Sequence, residues 1–321
     1  MCPVCGYKFQ LYYHRGKENN QFVFKCKRVG SGHVRSKTIL GNGPSWFART
    51  QLEIFLFLFF FLGFFYKYPQ WIILNEINRP NIKVITKDTA SQHYNHLRNA
   101  LMIYVESNFQ KLGGRNTNTT VQIDEMVIRK RKYYRGRIKA TFWVLGGVEI
   151  DNRTRQIIRM FALPIINRTS ANMRFWIDKL VKPGSTMHTD DARFYDFLNA
   201  AGYRHDVVNH SQNYVDPITG VHTQNIESLW NLLRKSLPKN GTSFDLILSY
   251  LYEFMFRKNH SNIDFENFLH LLGNQNPYGE RPLHYTDLED NPSMHSDFGF
   301  IKEFIEDNEY FQGTIFNATL L

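Results

Sequence analysis

The sequence predicts an α/β protein organised around a mixed sheet: a three-stranded antiparallel meander leading into an αβαβα order, preceded by a small cysteine-bearing hairpin unit and a helical domain. Three observations predict it. Within residues 118–260, the β-rich runs TTVQIDEMVIRK, ATFWVLGGVEI and TRQIIRMFALPII follow one another at hairpin separations. Behind them, helix-like and strand-like segments alternate. Ahead of them lie a C-P-V-C-G turn and several helix-length apolar segments.

Residues 1–40 read as a zinc-ribbon-like unit. Cys2 and Cys5 form the tight turn in which two thiolates face one zinc ion, while Gly6 lets the backbone curl around it. The aromatic, alternating stretch YKFQLYYHRGKENNQFVFK reads as a hairpin and delivers Cys26 as a third thiolate. His33 is the expected fourth zinc ligand, with His14 as the other candidate. The three cysteines all precede residue 27 and would leave one over in any disulfide pairing, so metal ligation and a reducing compartment are expected.

Residues 44–112 read as a helical, helix-turn-helix-like domain. The run IFLFLFFFLGFFY, Ile54 to Tyr66, falls short of the roughly 18 to 20 residues a spanning helix needs. Without a basic leader or a small-residue cleavage site it is no signal peptide either, so it is expected to be a buried helix. WIILNEI follows between prolines. Thr89 to Phe109 then reads as one helix, with Tyr94, Leu97, Leu101, Tyr104 and Val105 recurring at helical spacing and His93, His96, Arg98 and Asn99 on other faces. A polar, Arg-bearing helix after a short turn suits DNA reading, and a helical spacer gives the same pattern.

After the meander, SANMRFWIDKLV reads as a Ser-capped helix, TMHTD as a strand, ARFYDFLNAAG as a helix closed by Gly202 and RHDVVNH as a strand. NIESLWNLLRKSL is helical, with Ile226, Leu229, Leu233 and Leu237 on one stripe. This order is the ribonuclease H-like architecture. SFDLILSYLYEFMFRKN reads as a last amphipathic helix, and residues 271–321 as an acidic, weakly ordered tail.

A formal net charge of +10 implies an acidic partner, nucleic acid or anionic membrane. The basic stretch Arg129, Lys130, Arg131, Lys132, Arg135, Arg137 and Lys139, interleaved with Tyr133 and Tyr134, is a candidate phosphate track, and such runs are also read as nuclear-import signals. Three acids stand apart from this excess: Asp124 on the first strand, Asp190 at the carboxyl end of the strand after the first helix, and Glu227 in the first turn of a helix. Strand ends are where open α/β sheets place ligands, and magnesium-type cations take carboxylate oxygens. Glu125 points away from Asp124 because strand side chains alternate, and alternation alone does not choose between them.

With IDE followed by KYYRGR, then H-T-D before an aromatic-rich helix, and above all H-T-Q-N-I-E-S-L-W, the chain resembles the DDE transposases of the Merlin superfamily and the related bacterial insertion-sequence transposases. The similarity spans most of the chain. It implies that Asp124, Asp190 and Glu227 bind two magnesium or manganese ions for DNA strand cleavage and strand transfer. It implies that His222 and Asn225 line the same region, and that the partners are double-stranded DNA, both transposon terminal repeats and target. Pairing two ends implies a homodimer. The implied compartment is the nucleus in a eukaryotic host and the cytoplasm otherwise. Three positions depart from the pattern: Asp191 replaces a glycine, Arg234 with Lys235 stands where a lysine is usual, and the fourth ribbon cysteine is missing. A catalytically inactive, transposase-derived DNA-binding protein is the alternative, and membrane association of the Phe-rich run is the rival from another class.

Overall fold

The computed structural model describes residues 5–7, 10–13, 22–26, 37–38, 54–78, 85–115, 118–129, 142–165, 167–208, 222–238 and 244–273. The chain divides into two compact units, Met1–Ile103 with Ile263–Asp287, and Tyr104–Asn262 with Leu288–Leu321. In the first, β1 (Gln10–Tyr13), β2 (Phe22–Lys25) and β3 (Lys37–Thr38) pair antiparallel in that order. The hairpin expected from the alternating stretch is present, and the sulfurs of Cys5 and Cys26 stand 3.5 Å apart. Cys2, His14 and His33 lie outside the described residues.

The helical segment forms α1 (Ile54–Phe65), α2 (Gln70–Ile77) and α3 (Lys87–Ser107). Along α1, Leu56, Phe57, Phe60, Phe61 and Phe64 are buried while Leu58 is exposed, which makes it a core helix. No helix among the described residues is long and apolar enough to cross a membrane. Gly63 lets the neighbouring helices approach its backbone: a Cβ there would stand 2.6 Å from Ile73 and 2.9 Å from the Tyr94 hydroxyl. The third helix starts two residues before the expected Thr89, because the Thr86 hydroxyl accepts from the Thr89 N–H and caps it.

The faces of α3 differ in part from expectation. Tyr94, Leu97, Leu101 and Val105 are buried, but so is Arg98, whose guanidinium lies 5.8 Å from the centre of the Phe64 ring. His93 packs against both Phe57 and Phe60, and burial lowers its pKa to about 4. These polar side chains are built into an aromatic core, so Arg98 is not presented as a DNA-reading side chain.

In the second unit the chain runs β4 (Thr119–Arg129), β5 (Phe142–Asp151), β6 (Ile157–Ile165), α4 (Ser170–Leu180), β7 (Thr186–Asp190), α5 (Phe197–Ala200), β8 (Arg204–Val208), α6 (Gln224–Ser236) and α7 (Phe244–Asn259). The sheet order is β6-β5-β4-β7-β8, antiparallel across the first three strands and parallel across β4, β7 and β8. This is the mixed, ribonuclease H-like arrangement expected. Two details are corrected. The cap of α4 is Thr169, whose hydroxyl accepts from the Asn172 N–H, and not Ser170. The helix expected over ARFYDFLNAAG is broken into a 3₁₀ turn, Arg193–Tyr195, and the single turn of α5, because Tyr195 turns fully into the interior; Gly202, at φ +85°, closes the segment as expected.

Side chains of one face of β4 and β5, among them Gln122, Met126, Val144 and Val148, are buried on the side where α6 packs. Helix α7 covers the outer strand β6, where the Asn259 side chain accepts from the Met160 N–H at 2.9 Å and donates to its carbonyl at 3.0 Å. That pair of bonds satisfies edge groups that would otherwise be open. One more helix, α8 (Phe265–Gly273), was not expected from the sequence and belongs to the first unit, where Phe268 packs on Phe64 and Phe65 of α1. The expected tail from 271 thus begins with the end of α8, and the rest of it, from residue 274, lies outside the described residues.

Near the carboxyl end of α3, burial pushes the Glu106 carboxyl up to about 7, against the hydrogen bond donated by Tyr252 at 2.6 Å. The ordinary value is 4.5, so between the two values the folded chain holds a proton the unfolded chain has released. This contribution to stability is full below the lower value and is lost as pH rises through the upper one. Glu106→Gln keeps an acceptor for Tyr252 and is expected to remove about 2–3 kcal/mol of that pH-dependent loss, read as the wild-type-minus-variant difference in urea unfolding free energy between about pH 5 and 8.

Candidate functional site

Strand β4 is the junction of the sheet, antiparallel to β5 on one side and parallel to β7 on the other. In the parallel pair Gln122 sits beside His188, so Asp124 and Asp190, two residues further along each strand, lie on the same face of neighbouring strands, Asp124 in the middle of β4. Asp190 is the last residue of β7. Glu125 faces the other way: its carboxylate accepts from the Tyr195 hydroxyl and stands 3.8 Å from Arg168.

The third acid arrives on α6, whose amino end is fastened to β4. The Gln122 side chain donates to the His222 carbonyl at 2.7 Å and accepts from the Ile226 N–H at 3.3 Å. Glu227 is in the first turn of α6, where its carboxylate accepts from the Thr223 hydroxyl at 3.0 Å. A carboxylate there is favoured by the unpaired N–H groups of the helix start. One turn on, the Trp230 indole N–H donates to Oδ2 of Asp124 at 2.8 Å. The indole fits because β5 has Gly146 opposite Asp124; any side chain at that glycine would run into the Trp230 ring.

Burial raises the pKa of Asp124, and the charges of Asp190 and Glu227 push in the same direction; the Trp230 indole and the Glu125 backbone N–H pull it down. Asp190 and Glu227 are therefore close enough for their charges to oppose the ionisation of Asp124. Carboxylates so placed are the hard oxygen donors that magnesium or manganese takes, and a cation among them would relieve the repulsion. As they stand, no three His, Cys, Asp or Glu side chains among the described residues are grouped closely enough to share an ion. His188, 3.9 Å from Asp206, and His222 both have pKa values lowered chiefly by burial, which favours neutral imidazoles beside the acids.

Of the other residues singled out in the sequence, His222 and Asn225 are half-buried at the start of α6, while Arg234 and Lys235 are exposed in its last turn and Asp191 is exposed just after Asp190. The backbone of Arg129 ends β4; its side chain, and Lys130, Arg131, Lys132, Arg135, Arg137 and Lys139, lie outside the described residues. Sequence reasoning missed Gln122, Trp230 and Tyr195. For Trp230 a signal existed, since it closes the N-I-E-S-L-W motif one turn after Glu227.

Residues 112–259 match the family model of the ISXO2-like transposase domain. An uncharacterized transposase-like protein of Haemophilus influenzae is 30% identical over 106 residues, which make up 33% of this chain and 85% of that protein. Among solved structures, the chain is similar to the Mos1 strand transfer complex, at 12% identity over 63% of this chain and 64% of that one, with a TM-score of 0.25. A Mos1 transposase paired-end complex with the left transposon end gives 12% identity, 64% and 70% coverage and a TM-score of 0.19. The chain thus spans slightly under two thirds of the first of these structures.

Gly146→Ala puts a methyl group into the Trp230 ring and is expected to cost about 1–3 kcal/mol in urea unfolding. Trp230→Leu in the same chain should recover part of the loss, and no recovery would place the strain elsewhere.

Proposed function

The chain belongs to the family of the ISXO2-like transposase domain, and from that premise we propose that it is a DDE-type transposase that cleaves DNA at transposon ends and joins them to target DNA, with divalent metal held by Asp124, Asp190 and Glu227. The observation that carries this reading is that the middle of β4, the carboxyl end of its parallel neighbour β7 and the first turn of α6 each bring one carboxylate to the same region. Two magnesium or manganese ions would supply charge neutralisation at the attacking and leaving oxygens of an in-line displacement. The chain's own contribution is orientation. Trp230 holds one oxygen of Asp124, Thr223 holds one of Glu227, and Gln122 holds the helix that carries Glu227 against the strand that carries Asp124. His222 and Asn225, at the start of the same helix, would face the DNA beside the scissile phosphate.

The basic stretch from Arg129 to Lys139 would track phosphates away from the site, and Arg234 and Lys235 would add positive charge two turns along α6 from Glu227. Cys5 and Cys26 would share a zinc ion with Cys2 and His33. Their sulfur separation of 3.5 Å approaches the roughly 3.8 Å expected of two thiolates at about 2.3 Å from one tetrahedral ion. Handling two transposon ends calls for a homodimer, working in the nucleus of a eukaryotic host or in the cytoplasm otherwise.

A strand-transfer assay on the element's own terminal repeats tests the enzyme, with Glu227→Gln expected to abolish product in magnesium and in manganese. Wild-type chain that binds the ends yet yields no product is the inactive DNA-binding derivative instead. Replacing three cations of the 129–139 stretch by Ala is expected to reduce the slope of log K against log salt by about 0.9 for each phosphate that is no longer neutralised. An unchanged slope would remove this stretch from the interface.

A further inference from the structure

The hydrogen-bond ladder between β4 and β7 stops at Gln122 and His188, two residues short of both acids. Beyond that pair each acid is laddered only to its outer neighbour, Asp124 to Gly146 on β5 and Asp190 to Val208 on β8. The sheet's own backbone bonds therefore leave the separation of Asp124 and Asp190 unset. A side-chain link on the opposite face spans the gap. Tyr195, five residues after Asp190 and fully buried, donates its hydroxyl hydrogen to Oε1 of Glu125, the residue after Asp124. Oε2 of the same carboxylate stands 3.8 Å from Arg168, just ahead of α4. The Arg168 guanidinium lies 3.7 Å from the centre of the Trp143 ring on β5 and 5.7 Å from that of Phe194, the neighbour of Tyr195. The link thus closes through β4, the turn after β7, the start of α4 and β5.

A buried carboxylate is a poor way to stabilise a core, since apolar residues of similar volume usually serve as well or better. A carboxylate that accepts from a buried phenol on one oxygen and faces a ring-stacked guanidinium 3.8 Å from the other instead specifies geometry. We propose that Tyr195 and Arg168, acting through Glu125, are positioning residues that set the spacing of Asp124 and Asp190 and so the metal requirement of the site. This rests on the transposase reading above and goes beyond it, because Glu125 lies on the far face of the strand from the three acids. Outer partners of metal ligands typically change metal affinity or activity by about 10–100-fold when removed.

The test is a manganese titration of the full chain followed by thermal melting and by loss of the free-ion electron paramagnetic resonance signal, on wild type, Tyr195→Phe, Glu125→Gln and Arg168→Lys, with Asp124→Asn as the blank. Tyr195→Phe removes one oxygen and is expected to raise the half-saturating manganese concentration by about tenfold. Glu125→Gln, which still accepts from Tyr195, and Arg168→Lys, which keeps the charge without the flat stacking, are expected to raise it less, and they carry the test where Tyr195→Phe does not fold. Variants that melt earlier without metal but load manganese at the wild-type concentration would make the link purely structural and overturn the proposal while leaving the metal site intact. A wild-type chain that loads no more manganese than Asp124→Asn would overturn the metal site, and this proposal with it.

Discussion

A carboxylate whose pKa is raised first by burial and then by two neighbouring acids, Asp124, is the constraint around which this end of the second unit is built. Like charges in a partly dry site repel, and burial penalises each charged form separately. The fold answers with fixed donors rather than with apolar cover: an indole N–H and a backbone N–H on Asp124, and a threonine hydroxyl on Glu227. Each donor comes from an element whose position is itself fixed by packing, so the polarity of the site and the order of the core are one problem.

The donor on Asp124 shows how closely the two are joined. An indole reaches the strand because the opposing residue has no side chain, and the next glycine, Gly147, admits Phe161 and Ile123 on the other face in the same way. Two adjacent glycines in β5 would ordinarily weaken a strand, which gains little packing from them. Here the missing packing is supplied from outside the strand, by Trp230 on one face and by Phe161 and Ile123 on the other. Gly146 alone thus admits α6, through Trp230 and Ile226, and Gln122 holds the start of the same helix, with Glu227 in its first turn, by taking the Ile226 N–H.

Much of this architecture was legible in the sequence, because strand alternation and the stripe of Ile226, Leu229 and Leu233 are local signals, and all three of those residues are buried. Reading Asp124 and Glu125 as belonging to opposite faces was local too. What escaped was non-local. Trp230 bonds a residue 106 positions away and Tyr195 one 70 positions away, and no periodicity in either segment announces the partner. Arg98 failed for a related reason: helical spacing puts charges on the outer faces by default, whereas this one is buried near the Phe64 ring of α1 and donates to Asn95. The break before α5 goes with a tertiary contact, of Tyr195 with Glu125, whereas α8 carried local signals that went unread: the Asp264 carboxylate accepts from the Asn267 N–H at its start, and Phe268 and Leu272 share a buried stripe.

The two faces of β4 divide the labour around one strand end. On one face the acids stand near one another; on the other, a carboxylate one residue away accepts from a phenol and has a stacked guanidinium 3.8 Å off. Alternation makes such a division available to any strand, but it becomes useful here because β4 is the strand where pairing changes from antiparallel to parallel. At that change the ladder to β7 stops at Gln122 and His188, so no backbone bond joins Asp124 directly to Asp190. A rigidly laddered pair would hold two carboxylates at the spacing of neighbouring strands, roughly 4.8 Å between backbones. With no ladder bond joining them directly, the groups that bear on that spacing are the Trp230 indole on Asp124 and, behind the strand, Tyr195 on Glu125.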